Sequence, residues 1–224
     1  MTDNLILHIG EKNISSWSMR GFLALAAKEL DFETRTISLR QDKDRSQRLA
    51  VSPTGKVPVL HHTIGSETRI IPDSLAIIEY LEETFPPPKH VPLWPTDAGQ
   101  RAHARWLSAM MHSGFMKLRE SMSFNLCFID TPPAATPEAL AEAAEILSHW
   151  ERTLTHNTVP GPYLFGNFTA ADIMFAPVVV RLTAFKVASV STPRSAAYMT
   201  AVLGHPAVRR WMEPARQLEP HETY

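Results

Sequence analysis

Hydroxyl side chains crowd the start of the first predicted helix. Residues 15–21 read SSWSMRG, and they lie between the apolar run LILHI and the helix-like run GFLALAAKEL. Serine is a preferred N-cap residue and one cap uses one hydroxyl, so either Ser15 or Ser16 caps this helix. A further hydroxyl above a helix N-terminus, directly after a strand, can donate a hydrogen bond to an anion. The segment therefore predicts an anion-binding site beside the helix cap.

A proline interrupts the predicted third strand, KVPVLH at residues 56–61. Because proline has no backbone N–H to give to a sheet, Pro58 fits an edge strand or an irregular point. The alternative is a cis bond between Val57 and Pro58. That geometry would leave the N–H and C=O of Val57 free to pair with an extended, peptide-like ligand.

Asp73 and Ser74 stand at the head of the third predicted helix. Either side chain suits an N-cap. A helix N-terminus also offers free N–H groups and the positive end of the helix dipole, so together with the Ser74 hydroxyl it can hold a ligand carboxylate. Asp73 could pair with a ligand ammonium group. The two residues together predict a site for an amino-acid head group.

Hydrophobic periodicity predicts a small α/β layer that must position these three features. The first 85 residues read as β-α-β, then α, then β-β-α, which is typical of an α/β layer fold. The predicted strands are 5–9, 32–39, 56–61 and 68–71, and the predicted helices are 16–30, 44–51 and 73–85.

A proline-rich segment separates this layer from a helical half. Five of the 18 prolines lie in residues 85–95, FPPPKHVPLWP, which we interpret as a stiff connection between domains. Beyond it only helices are predicted, and Pro137 suits the first position of a helix after Thr136. The predicted helices are 97–125, 137–156, 169–184, 197–203 and 205–216.

The net charge, the hydrophobic pattern and the cysteine count exclude several classes of protein. The chain has 224 residues, 44% of them hydrophobic, and a formal net charge of −1, so we expect no nucleic-acid partner. No apolar stretch reaches the length of a membrane span, and no signal-peptide pattern precedes residue 10, so a cytoplasmic location is expected. The single cysteine, Cys127, excludes an internal disulfide and a Cys-x-x-Cys pair. Because His61 and His62 are adjacent, their rings would face opposite sides of a strand and could not bind the same metal ion. We therefore expect no metal site.

Four features in this order resemble the cytosolic glutathione S-transferases. They are the N-terminal α/β layer, SPTGKVPVL at 52–60, PDSLAIIEYLEETFP at 72–86 and GNFTAADIMFAPVV at 166–179. In the last segment Thr169 and Asp172 have capping-box spacing. The resemblance implies a thioredoxin-like α/β domain (βαβ–α–ββα) at 1–85, a linker at 86–96 and an all-helical domain at 97–224.

The resemblance also implies the chemistry of the serine segment. In serine-type members a hydroxyl after the first strand donates to the sulfur of glutathione and stabilises the thiolate. Counting back from Arg20 favours Ser15 for this role, with Ser16 as the alternative and Trp17 as a neighbour that contacts glutathione. The co-substrate is then glutathione, and no metal is required.

Further glutathione contacts follow from the same resemblance. Val57 would pair its backbone with the cysteinyl part of glutathione, next to Pro58. Asp73 and Ser74 would hold the γ-glutamyl head. Lys56 would reach the glycyl carboxylate, and Lys43 and Arg45 are the alternatives for that contact.

The electrophile is expected on the side of the helical domain. The candidate residues there are His112, Phe115, Met116 and Arg119, together with Trp17 from the first loop. We expect conjugation of glutathione to small electrophiles in a detoxifying homodimer. The alternatives are a zeta-like maleylacetoacetate isomerase and a non-catalytic glutathione-binding module. Zeta-like isomerases resemble this loop but carry cysteine where Trp17 stands, which favours the transferase.

Overall fold

The computed structural model describes residues 4–39, 45–187 and 192–220. Within these ranges four strands and nine α-helices follow the chain, with one 3₁₀ helix at Phe124–Phe128. The strands are β1 (Asn4–Ile9), β2 (Glu33–Thr36), β3 (Val59–Ile64) and β4 (Glu67–Pro72). The helices are α1 (Ser16–Ala27), α2 (Arg45–Val51), α3 (Ser74–Thr84), α4 (Ala98–Ser113), α5 (Met116–Ser121), α6 (Pro137–His156), α7 (Ala170–Ala184), α8 (Pro193–Gly204) and α9 (Pro206–Ala215).

The contacts divide the described chain into two units. The first consists of the residues up to Leu93 together with Trp211–Leu218, and the second is Trp94–Arg210. The sequence did not indicate that Trp211–Leu218 belongs with the first unit. The boundaries expected from the proline-rich segment stay predictions. None of the helices in the described ranges is both long and apolar enough to cross a membrane.

The first unit contains a mixed sheet in the order β2-β1-β3-β4. β1 pairs with β2 in parallel, and β1 with β3 and β3 with β4 are antiparallel. This confirms the predicted βαβ–α–ββα layer. Leu5, Leu7 and Ile9 of β1 are at most 5% exposed, because the central strand carries its apolar side chains into the core.

The bounds predicted for two of the strands, β2 and β3, were wrong. β3 begins at Val59 and not at Lys56, because Pro58 has no N–H for the ladder and the paired strand starts after it. β2 covers Glu33–Thr36 only, and its burial pattern is that of an exposed edge. Edge strands are commonly short, since a long exposed edge invites pairing with other chains.

The two adjacent histidines of β3 face opposite sides of the sheet, as predicted. One ring nitrogen of His61 lies 2.7 Å from the carbonyl oxygen of Val51, at the end of α2. The Nδ1 atom of His62 lies 2.7 Å from the hydroxyl of Tyr80, which belongs to α3. β3 therefore has α2 on one side and α3 on the other.

A buried lysine ties α1 to the end of the first unit. The Lys28 ammonium, with its side chain 0% exposed, donates to the carbonyl oxygens of Phe85 at 2.8 Å and Val91 at 3.0 Å. It also lies 2.7 Å from a carboxylate oxygen of Glu82, which accepts the N–H of Leu93 as well. The single ammonium thus fixes the proline-rich segment after α3.

The second unit is helical, as predicted, with α7 at its centre. Residues 170–182 of α7 are all buried, because the helix is apolar on every side. α6 matches its predicted bounds, with Thr136 as the N-cap and Pro137 in the first turn. The predicted continuous helix 97–125 was wrong. α4 ends at Ser113, and Phe115 has a positive φ of 62°, which no α-helix permits.

A capping box begins α7, as its spacing predicts. A carboxylate oxygen of Asp172 accepts the N–H of Thr169 at 2.7 Å and the Thr169 hydroxyl at 2.9 Å. The other oxygen accepts the N–H of Leu164 at 3.2 Å. Complete burial raises the pKa of Asp172 to about 6, against the opposing effect of these hydrogen bonds.

We predict that Lys28→Met lowers the free energy of unfolding by about 3 kcal/mol, because the Glu82 carboxylate and two carbonyls lose their buried partner. Denaturant unfolding followed by circular dichroism measures the loss. Lys117→Met is the matched control, since the pair of Lys117 with Glu120 is 59% exposed on both sides and should matter little. Equal free energies of unfolding for the two variants would contradict the stabilising role of Lys28.

Candidate functional site

The register of the sheet brings three loops to one end. His8 of β1 pairs with Val59 of β3, and Val59 in turn pairs with Pro72 of β4. Because β3 is antiparallel to both neighbours, its start lies beside the ends of β1 and β4. The loops that contain residues 10–15, 57–58 and 73–74 therefore meet at one end of the sheet.

Ser15 is the N-cap of α1. Its oxygen accepts the N–H of Ser18 at 3.1 Å, and its hydroxyl donates to the Ser18 hydroxyl oxygen at 2.8 Å. The Ser18 oxygen also accepts the N–H of Gly10 at 3.0 Å, which ties the end of β1 to the first turn of the helix. Of the two serines left open by the sequence, Ser15 caps, and Ser16 is the first residue of α1.

The cap leaves the Ser15 proton available for chemistry. The capping bond uses a lone pair of the Ser15 oxygen, whereas the proton points to Ser18. Rotation about the C–O bond would turn that proton to an anion without breaking the cap. The same side chain can therefore cap α1 and donate to a ligand, so two separate serines are not needed.

A buried arginine supports the first turn of α1. Arg20 is 0% exposed, and its guanidinium donates to the Ser16 carbonyl at 3.4 Å. The guanidinium carbon lies 4.7 Å from the centre of the Trp17 ring, within the range of a cation–π contact. Arg20 thus orients Trp17 and adds a positive charge where the dipole of α1 is also positive. Nothing in the sequence alone indicates this role of Arg20.

The bond between Val57 and Pro58 is cis, which confirms the second of the two alternatives. Within the described part of the chain, neither the N–H nor the C=O of Val57 has a hydrogen-bond partner. Gly21 of α1 lets this loop approach closely, since a Cβ there would lie 3.0 Å from the Pro58 ring. The loop therefore presents backbone groups while packing against the helix that Ser15 caps.

Asp73 caps α3 in an unusual backbone conformation. Its Oδ1 atom accepts the N–H groups of Leu75 at 2.8 Å and Ala76 at 3.2 Å, and its φ is 76°. Few residues other than glycine adopt a positive φ, and such strain is found at ligand-binding sites. Asp73 is exposed, so its carboxylate caps the helix and still faces outwards.

The hydroxyl of Ser74 is a buried polar group that lacks a partner among the described residues. Ser74 is 0% exposed, and its oxygen has no hydrogen bond in these ranges. Buried polar atoms are nearly always paired, so one that is not needs an explanation. Its position at the N-terminus of α3 allows this hydroxyl to donate a hydrogen bond to an anionic ligand.

The basic residues expected near a carboxylate are exposed. Lys56 lies in the loop before Pro58, and Arg45 is the first residue of α2. Lys43 lies outside the described residues. Arg48 of α2 donates to the carbonyl oxygens of Gly55 at 3.2 Å and Ser38 at 3.3 Å, so it braces the loop that contains Lys56. The role of Arg48 was not predicted, because nothing in a single sequence distinguishes this arginine from its basic neighbours.

The four residues expected to contact the electrophile gather around the break between α4 and α5. His112 lies in the last turn of α4, and Phe115 is the N-cap of α5 and 7% exposed. Met116 is 55% exposed. The Arg119 guanidinium donates to the carbonyl oxygens of Gly114, at 3.0 Å, and Met111. Arg119 therefore holds the break together, and this use competes with a role in binding.

Two family models match the chain. Residues 14–84 match the glutathione S-transferase N-terminal domain, and residues 133–213 match the C-terminal domain. A probable maleylacetoacetate isomerase from Caenorhabditis elegans is 33% identical over 181 residues, 80% of this chain and 79% of that protein. Maleylacetoacetate isomerase from Pseudomonas aeruginosa is 28% identical over 214 residues, 92% of this chain and 94% of that protein.

A solved structure is similar over nearly the whole chain. It is a glutathione transferase homolog from Burkholderia gl BGR1 with bound glutathione. The two share 29% identity and a TM-score of 0.68, over 97% of this chain and 100% of that one.

We predict that Asp73→Gly is more stable than Asp73→Ala by at least about 1 kcal/mol. Both variants lose the cap, but only glycine is unstrained at this positive φ. The same pair of substitutions at Asp97, an N-cap with an ordinary φ of −68°, is the control, and it should favour glycine less, because only the ordinary capping preference acts there. Urea unfolding of the four variants measures the preference at each position, and a preference for glycine at position 73 no larger than that at position 97 would refute the strain.

Proposed function

The chain belongs to the glutathione S-transferase family, and on that premise we propose that it conjugates the thiolate of glutathione to small, largely apolar electrophiles. One observation supports this most directly. Three features meet at one end of the sheet: the hydroxyl of Ser15 at the start of α1, whose proton can be redirected, the backbone of Val57 and the buried hydroxyl of Ser74. A tripeptide with a thiol and charged ends matches these three features.

Stabilising the thiolate is the central task. A free thiol has a pKa of about 8.5, so little thiolate exists at neutral pH. In our proposal the Ser15 hydroxyl donates to the sulfur, while the dipole of α1 and the buried Arg20 cation also favour the anion. Each unit by which the thiol pKa falls corresponds to about 1.4 kcal/mol of preference for the thiolate.

The remaining contacts would orient glutathione. Val57 would offer its N–H and C=O to the cysteinyl backbone in the manner of an added strand. The Ser74 hydroxyl and the first N–H groups of α3 would hold the γ-glutamyl carboxylate, with the Asp73 carboxylate near the ammonium group. Lys56 or Arg45 would pair with the glycyl carboxylate.

The electrophile would be held by the side chains at the α4–α5 break, and Trp17 would contact glutathione. Exposed Met116 suits an apolar substrate, since methionine is flexible and polarizable.

A homodimer and a cytoplasmic location remain parts of this proposal. Gel filtration at the mass of one chain would contradict the dimer.

Glutathione-dependent isomerisation is the second candidate function, because the relatives from Caenorhabditis elegans and Pseudomonas aeruginosa are named as a probable maleylacetoacetate isomerase and a maleylacetoacetate isomerase. An isomerase needs the same thiolate, which adds to a double bond and later leaves it. Trp17 stands in place of a cysteine of the isomerase pattern and favours conjugation. Turnover of maleylacetoacetate, with no conjugate formed from any of a panel of electrophiles, would select the isomerase.

We predict that Ser15→Ala lowers kcat/KM for conjugation about 10²-fold, because one donor to the anion is lost. The lost cap should also cost about 1 kcal/mol of stability, so activity is measured well below the unfolding transition. Ser148→Ala, on the exposed face of α6, is the control and should retain full activity.

Unchanged activity of Ser15→Ala, with loss in Ser16→Ala, would transfer the role by one residue. Retention of the wild-type protein on immobilised glutathione, without conjugation or isomerisation of any substrate tested, would identify a binding module and refute the enzyme.

A further inference from the structure

A tryptophan near the end of the chain is bonded to the loop that precedes Ser15. The indole N–H of Trp211 donates to the carbonyl oxygen of Lys12 at 3.1 Å. Trp211 is 0% exposed and belongs to the segment Trp211–Leu218 of the first unit. The two residues are 199 positions apart in the sequence. Neither the predicted glutathione contacts nor the cap of α1 involves Trp211.

The bonded carbonyl lies inside the turn that delivers Ser15. The carbonyl oxygen of Glu11 accepts the N–H groups of Ile14 at 3.0 Å and Ser15 at 2.9 Å, so residues 11–15 form a closed turn. The Glu11 carboxylate accepts the N–H of Leu39 at 2.9 Å, which anchors the beginning of the turn. The bond from Trp211 fixes the next peptide unit, three residues before the serine.

The Trp211 ring also packs against α1 itself. Its centre lies 5.3 Å from that of Phe22, and Phe22 is 3% exposed. The Lys12 ammonium lies 5.2 Å from the Phe22 ring and 5.6 Å from the Trp211 ring, within cation–π range of both. Trp211 therefore touches both the turn before Ser15 and the helix after it.

We propose that Trp211 is a positioning residue that fixes the Ser15 hydroxyl relative to α1. This inference rests on the proposed function, in which Ser15 donates to the glutathione sulfur. A hydrogen bond to an anion depends steeply on distance and angle, and a displacement of about 1 Å can cost about 10²-fold in rate. The indole N–H is bonded to the turn, whereas the ring packs against Phe22 of α1. Loss of the N–H should therefore loosen the turn and leave most of the packing.

The test compares Trp211→Phe with Trp150→Phe. Both substitutions replace a buried tryptophan by a smaller aromatic residue. Trp150, however, lies in α6 of the second unit, and its indole N–H has no partner within the described ranges. In Trp211→Phe we expect kcat/KM for conjugation at pH 6.5 to fall about 10-fold. The apparent pKa of the pH profile should rise by about 0.5 to 1, since the thiolate is held less well. Trp150→Phe should keep the wild-type profile.

Phe22→Leu separates the hydrogen bond from the ring contacts. It removes an aromatic neighbour but keeps the N–H of Trp211, so it should keep the wild-type pH profile. A profile that moves equally in Phe22→Leu and Trp211→Phe, or in neither, would overturn the proposal. Should Trp211→Phe fail to fold, benzothienylalanine at position 211 replaces the N–H by sulfur at nearly constant shape and gives the same comparison.

Hydrogen exchange distinguishes a failure of this proposal from a failure of the proposed function. Faster exchange of the Ile14 and Ser15 amides is expected in Trp211→Phe but not in Trp150→Phe. If the wild-type protein forms no conjugate, the proposed function fails, and the exchange rates still show whether Trp211 holds the turn. Unchanged exchange with a normal pH profile would refute the positioning role alone.

Discussion

The hydrogen-bond ladder that joins β1, β3 and β4 is the constraint on which the site depends. It pairs His8 with Val59 and Val59 with Pro72, and so the three loops that follow or precede these residues share one end of the sheet. A shift of one residue in either pairing would move the buried side chains of a strand to its opposite face. The burial of these side chains therefore fixes the register. The position of the site is therefore set by core packing.

The polar groups at this end of the sheet serve two purposes at once. Ser15 caps α1 through its oxygen and keeps a proton that can be redirected, and Asp73 caps α3 while its carboxylate faces outwards. Ser74 differs, because its buried hydroxyl has no partner among the described residues. Helix caps and ligand contacts use the same donors and acceptors, and for this reason a serine-rich helix start does not by itself reveal which serine binds.

Both ends of α1 are held by buried groups that satisfy backbone atoms. Arg20 donates to the Ser16 carbonyl near the start of the helix, and Lys28 at its end donates to two carbonyls of the proline-rich segment. Trp211 adds a bond to the turn before the helix. An unpaired buried polar group costs free energy, so each of these paired side chains stabilises the backbone that it contacts. The helix that carries the predicted anion site is thereby held at both ends.

By itself, the sequence determined the α/β layer, the helical second half, the cis bond at Pro58 as one of two alternatives and the capping box of Thr169 and Asp172. Each of these depends on neighbours within a few residues, which a periodic pattern or a proline reports directly. Only the tertiary structure decided that Ser15 is the cap, that the predicted helix 97–125 breaks at Gly114 and Phe115, and that Trp211 donates a hydrogen bond to the turn before Ser15. The first outcome depends on which of two neighbouring hydroxyls accepts the helix N–H, and the second on a positive φ within a packed unit. The third depends on a contact between residues 199 positions apart. Local propensity encodes none of the three.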